Sequence, residues 1–207
     1  DYGGTADIGN DGDGVAVTSS AWGNTVGTGN IIAYNGAFSA PNGIRVDGAE
    51  AIYNKIRQNS LFSNYGKGIE LYSGGNAALN YPVISFADYN LTTANTTLAG
   101  TAEPLSSVEI FLTESTPDTT GFGEGKTYVG NVSADAAGNW TAVLPGLNSG
   151  RATATATLNN NTSPFAQNVV IDTAAPSVAN ITSSKTNGAY TTGEVIPITV
   201  AMSEIVN

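Results

Sequence analysis

Short apolar clusters separated by Asn and Gly corners recur through the first third of the chain. They are Gly14-Val15-Ala16-Val17, Asn30-Ile31-Ile32, Gly43-Ile44-Arg45-Val46, Asn54-Lys55-Ile56 and Gly68-Ile69-Glu70-Leu71. Asn30–Asn35 is echoed 24 positions on by Asn54–Asn59, and the glycine-led strand at Gly43 is echoed 25 positions on at Gly68. A period of about 20–25 residues built of short strands and Asn/Gly corners is the mark of a solenoid, whose coils bury their apolar faces only by stacking. The pattern predicts a parallel β-helix with Ile32 over Ile56, Ile44 over Ile69 and Val46 over Leu71. Asn30 over Asn54 and Asn35 over Asn59 are expected as corner ladders, since Asn tolerates left-handed backbone and its amide can bond the next coil. Arg45 and Glu70 fall on equivalent outward positions and are expected to form an exposed ionic rung.

The pattern changes at Asn80-Tyr81-Pro82-Val83-Ile84, where Pro82 cannot donate to a central ladder. Beyond it the strands lengthen and alternate, with Val108, Ile110 and Leu112 on one face and Glu109, Phe111 and Thr113 on the other. Further strands are expected at 126–130, 138–144 and 152–158, separated by turn clusters at 135–138 and 158–161. Such spacing describes an antiparallel β-sandwich, with Trp140 inward beside Val143 or Leu144. A third pattern begins at Asp172 and reaches the alternating Val195–Val200; two or three strands there are too few for a stable sandwich. The expected organisation is all-β: parallel β-helix coils over 1–84, an Ig-like sandwich over 85–172, and the partial start of a further Ig-like domain over 173–207.

Composition narrows the function. Charged residues make up 12% of the chain, and 17 acids against 7 bases leave a net charge of −10. That argues against binding to nucleic acid or anionic membranes and is compatible with attraction of divalent cations. The chain has no Cys and no His, which removes disulfides, most zinc sites and the Ser-His-Asp and Cys-His machineries. No apolar run approaches the roughly 18 residues of a membrane span. Asp1 is read as the start of a mature chain or of a piece of one.

Residues 14–84 (GNTVGTGNIIAYNG, GIRVDGAEAIYNKIRQNSLFSNYGKGIEL and NYPVI) resemble the right-handed parallel β-helix repeats of large secreted bacterial proteins. Residues 97–171 (VEIFLTES, GFGEGKTYVGNV, GNWTAVLPG and ATATLNNNTSPFAQNV) resemble the Ig-like sandwich that often follows that β-helix. The last stretch (DTAAPSVANITSS, NGAYTTGEVIPITV and Met202-Ser203-Glu204) is similar to the opening of a bacterial Ig-like repeat of long surface adhesins. The resemblance implies a non-enzymatic stalk or fibre segment, secreted to the bacterial surface. Its partners would be neighbouring domains of one long chain, copies joined through strand edges in an oligomer or filament, and cell-surface glycans.

Parallel β-helices also carry lyases and glycosidases, so Asp47, Glu50 and Glu70 on neighbouring coils are weighed as paired carboxylates. Asp47 in Val46-Asp47-Gly48 stands where Asp is a routine turn former and Glu70 has Arg45 beside it, so surface and turn roles are expected of these acids. Calcium is the better chemical expectation. Asp7, Asp11 and Asp13 crowd oxygen ligands onto one loop, although the spacing is not that of an EF-hand. Asp172, with Glu103 or Glu194, is a second candidate ligand at a domain junction, or simply caps the turn before Pro176. Tyr34, Tyr53, Tyr65 and Tyr72 offer a sugar-stacking face or, as favoured here, half-buried flank residues.

Overall fold

The computed structural model describes residues 9–36, 41–116 and 119–203. Seven short strands come first: β1 (Val15–Thr18), β2 (Thr25–Val26), β3 (Ile31–Ala33), β4 (Ile44–Asp47), β5 (Lys55–Ile56), β6 (Ser60–Phe62) and β7 (Ile69–Tyr72). They pair only in parallel, in three ladders ordered β1-β4-β7, β2-β5 and β3-β6. The chain thus visits the ladders in turn and returns to each. A short 3-10 turn at Gly75–Ala78 follows β7.

Ile44 lies opposite Ile69 and Val46 opposite Leu71, as the glycine-led repeat predicts. The other two ladders have a different register. Ile32 faces Leu61, not Ile56, and Ile56 faces Val26. Asn24, Asn30 and Asn35 bond Asn54, Asn59 and Asn64 respectively, so the expected 24-residue Asn pairs do not occur. The reason is the length of the links. Ten residues (34–43) join β3 to β4 but six (63–68) join β6 to β7. The step from Val15 to Ile44 is therefore 29, and that from Ile44 to Ile69 is 25. One fixed period slips across the longer link and stacks unlike sides.

Two facing antiparallel sheets follow. Their strands are β8 (Val83–Asn90), β9 (Asn95–Thr101), β10 (Ser107–Leu112), β11 (Thr127–Ser133), β12 (Asn139–Pro145), β13 (Arg151–Leu158), β14 (Asn161–Thr162) and β15 (Val169–Val170). One sheet runs β12-β9-β8; the other runs β11-β10-β13-β14, with β15 also on β13. Between them lies a core of Ile84, Leu98, Val108, Ile110, Trp140, Ala142, Ala154 and Ile171. Val143 is 59% exposed, so the inward partners of Trp140 are Ala142 and Leu144.

β10 breaks the simple alternation. Val108, Glu109, Ile110 and Phe111 are all buried. Val108 and Ile110 enter the core between the sheets, whereas Phe111 joins a second core with Val17, Ile32, Ile44, Val46, Ile56, Leu61, Ile69 and Phe165. That second core is the interior of the parallel ladders, so the sheet containing β10 is covered on both faces. The chain divides after Thr173 into two compact units. The second contains the antiparallel pair β16 (Val178–Ser183) and β17 (Ile198–Met202). Val178, Ile181, Ile198 and Val200 on this pair are exposed.

Candidate functional site

The residues singled out as ligands and acids are placed apart. Asp7 lies outside the described residues, and Asp11 is exposed. Asp13 Oδ1 accepts from the Asn42 backbone N–H at 2.8 Å, and its Oδ2 lies 2.7 Å from Arg45 Nε. Arg45 reaches Asp47 with its second contact, at 3.2 Å. The expected Arg45–Glu70 rung is therefore absent although the two are register partners; Glu70 pairs instead with Lys67, three residues earlier. These half-exposed pairs each contribute about 0–1 kcal/mol. Glu50 is exposed. Among the described residues no group of three or more His, Cys, Asp or Glu side chains is placed to hold a metal ion.

Asp172 closes the edge of β8 through its backbone, its N–H donating to Ala87 O and its carbonyl accepting from Tyr89 N–H, both at 2.8 Å. Glu103 is exposed in a turn, and Glu194 pairs with Lys185 within the second unit. Tyr34 is half-buried, edge-on to Phe62 at 5.7 Å. Tyr53, Tyr65 and Tyr72 are 46%, 63% and 44% exposed, more open than half-buried flank residues. Tyr53 and Tyr34 both occupy left-handed corners (φ 58° each).

What the structure does bring together is the open end of the ladders and the sheet carrying β10 and β13. A parallel strand sends alternate N–H groups to each side. In the outermost circuit, the Lys55 and Arg57 backbone N–H groups donate back to Asn24 O and Val26 O (2.8 and 3.1 Å), leaving the Ile56 N–H pointing outward. There Thr162 Oγ1 accepts from Ile56 N–H at 3.0 Å. In the same way Leu61 N–H donates to Gly125 O (2.9 Å), Tyr53 N–H to Asn161 Oδ1 (2.6 Å) and Gln58 N–H to Glu109 Oε2 (2.9 Å). The Ile56 and Leu61 donors, on residues 3% and 1% exposed, would be costly buried orphans without their partners.

A stack of Asn side chains and a stack of glycines both end at this junction in the same manner. Asn10 donates to Asn35 Oδ1, and Asn35 to Asn64 Oδ1 (2.8 Å from Nδ2). Asn64 then donates from N–H and Nδ2 to the two carboxylate oxygens of Glu124, at 2.9 and 2.5 Å. Glu124 thus stands where another Asn would. Glycines lead β1, β4 and β7 because the circuits approach closely. A Cβ on Gly14 would sit 2.8 Å from Gly43 O, and one on Gly43 2.7 Å from Gly68 O. A Cβ on Gly68 would meet the Phe165 ring at 2.8 Å, so Phe165 occupies the next level of that stack.

The junction has its own electrostatics. Burial pushes the Glu109 carboxyl above its ordinary range, against the Gln58 N–H and the Arg57 and Lys55 charges, which pull it back. Tyr128 is likewise raised, first by burial and then by the nearby Glu109 carboxylate. A cleft of about 310 Å³ opens here, lined by Lys55, Arg57, Gln58, Glu109, Asn131 and the Asn159-Asn160 turn, among others. Sequence reasoning passed over Glu109, Glu124, Thr162 and Phe165. The one available signal was Phe111, a large apolar side chain on the β10 face otherwise read as outward. The sequence matches no protein-family model and no curated protein.

Proposed function

We propose that this chain is a structural and adhesive segment of a large secreted bacterial surface protein, acting as stalk and attachment module. In this reading the parallel ladders are the C-terminal coils of a right-handed parallel β-helix. The facing sheets are an Ig-like sandwich, and β16–β17 open a further bacterial Ig-like domain. The observation that carries it is the junction: side chains and backbone of the sandwich take the place of a further coil. A spacer gains from that arrangement, because a hinge between two modules would transmit force poorly, whereas a shared core and shared hydrogen bonds make one rigid body.

The bare apolar residues of β16–β17 support the tandem-domain part of the reading, since a two-stranded sheet is marginal until something covers it. Strand edges would join copies into an oligomer or filament, and cell-surface glycans would be the attachment partner. A catalytic role on the coils would need Asp47 and Glu70 to flank one groove, and each is instead held by a basic neighbour. Force spectroscopy tests the spacer role. Residues 9–173 should unfold in one event releasing roughly 55–60 nm of contour, from about 3.3–3.6 Å per residue. Two separate events, one for the ladders and one for the sheets, would overturn it.

A further inference from the structure

We propose that the cleft between β5 and the β10–β13 sheet binds a singly charged acidic monosaccharide unit, its carboxylate held by Lys55 and Arg57. Of the seven basic side chains, Arg45, Lys67, Lys126 and Lys185 each pair with a carboxylate within 4.0 Å. Lys55, Arg57 and Arg151 have no such partner among the described residues, and of these three Lys55 and Arg57 both line this one cleft. Their side chains leave on the same side because residues two apart on an extended strand share a face, opposite the buried Ile56.

Arg57 Nε is buried and has no hydrogen-bond partner. That nitrogen is shielded from solvent, so a ligand in the cleft would meet the terminal face of the cleft-lining guanidinium. A carboxylate fits it, since a guanidinium presents parallel N–H donors in a planar fork. Glu109 faces the two cations but does not form an ion pair with either, its Oε2 being taken by Gln58 N–H at 2.9 Å. Two positive charges against one negative leave a local surplus of one. That suits a ligand with one negative charge, and the chain's net −10 disfavours a polyanion.

The rest of the lining is polar. The amides of Gln58, Asn131, Asn159 and Asn160 and the hydroxyls of Ser107 and Thr157 supply both donors and acceptors. Asn159 and Asn160 both have left-handed backbone (φ 49° and 61°), which fixes the turn that presents them. Tyr128 Oη donates to Asn131 Oδ1 at 3.2 Å and orients that amide. Such a lining matches sugar hydroxyls and offers an apolar ligand nothing. The volume sits at the low end of the roughly 300–1,000 Å³ of small-ligand sites, which suits a single residue.

This inference goes beyond the spacer role and does not depend on it. The test is an amide-resolved NMR titration of the whole chain with D-glucuronate, D-glucose, acetate and inorganic phosphate in turn. Glucuronate should shift the Gln58, Asn131, Asn159 and Asn160 amides saturably, with glucose and acetate each weaker by about tenfold or more. Arg57→Gln and Lys55→Gln should each lose about tenfold in affinity with an unchanged fold. Should Arg57→Gln fail to fold, Lys55→Gln carries the comparison. No saturable shift with glucuronate, equal binding of glucose, or equal binding of acetate or phosphate would each overturn the proposal.

Discussion

Phe165 belongs to the sheet half of the chain but packs in the core of the ladder half, so removing its ring measures what joins them. The side chain is 2% exposed and meets Phe111 edge-on, with ring centroids 5.5 Å apart. It fills a notch made by three glycines: a Cβ on Gly68, Gly123 or Gly125 would lie 2.6–2.8 Å from its atoms. Phe165→Ala should therefore cost about 3–5 kcal/mol, transfer loss plus an unfilled cavity that rigid backbone on three sides cannot close. At an m-value of about 2 kcal/mol/M the urea midpoint falls by roughly 1.5–2.5 M. The assay follows far-UV circular dichroism and tryptophan fluorescence together. Trp140, 3% exposed in the other core, dominates the fluorescence change, because Trp22 is already 69% exposed. If the junction makes one cooperative body, both signals move together in the variant. A loss below about 1 kcal/mol, or a Trp140 transition left at its wild-type midpoint, would refute the reasoning.

Glu124→Ala should destabilise by about 1–3 kcal/mol in the same assay, because the buried Asn64 N–H loses its acceptor; Glu124→Gln, keeping one carbonyl oxygen, should cost less. Equal losses would show that the acceptor is not what matters. Glu109, with its carboxyl pKa raised by burial, binds a proton more readily folded than unfolded. Its contribution is therefore greatest below its unfolded value near 4.5 and declines as pH rises through the higher folded value. Wild type minus Glu109→Gln stability, measured by urea titration across that window, should fall with rising pH; a rise would contradict the assignment. Asp13 already accepts from Asn42 and Arg45, so chelator should leave the melting temperature unchanged. A fall of several degrees in EDTA, restored by calcium, would place an ion on the Asp11–Asp13 loop.

The amino-acid pattern by itself determined the all-β class, the positions of the longer strands, the change at Pro82, and the one ladder in which Ile44 meets Ile69. These rest on alternation and turn chemistry within a few residues, which any short window contains. It also marked Asn as the corner residue, but paired Asn30 and Asn35 with the wrong partners. The four extra residues in the β3–β4 link shift that register, and a fixed period does not see link lengths. Ion pairing was equally out of reach. Register alone places Arg45 beside Glu70, yet the side chains choose Asp13 and Lys67. Tertiary structure alone decided the junction. Gln58 meets Glu109, Asn64 meets Glu124, and Ile56 meets Thr162 across sequence separations of 51, 60 and 106 residues. Nothing local distinguishes those acceptors from ordinary surface Glu and Thr. They matter because stacked circuits end in unpaired donors, and folding brought the adjoining sheet against that end.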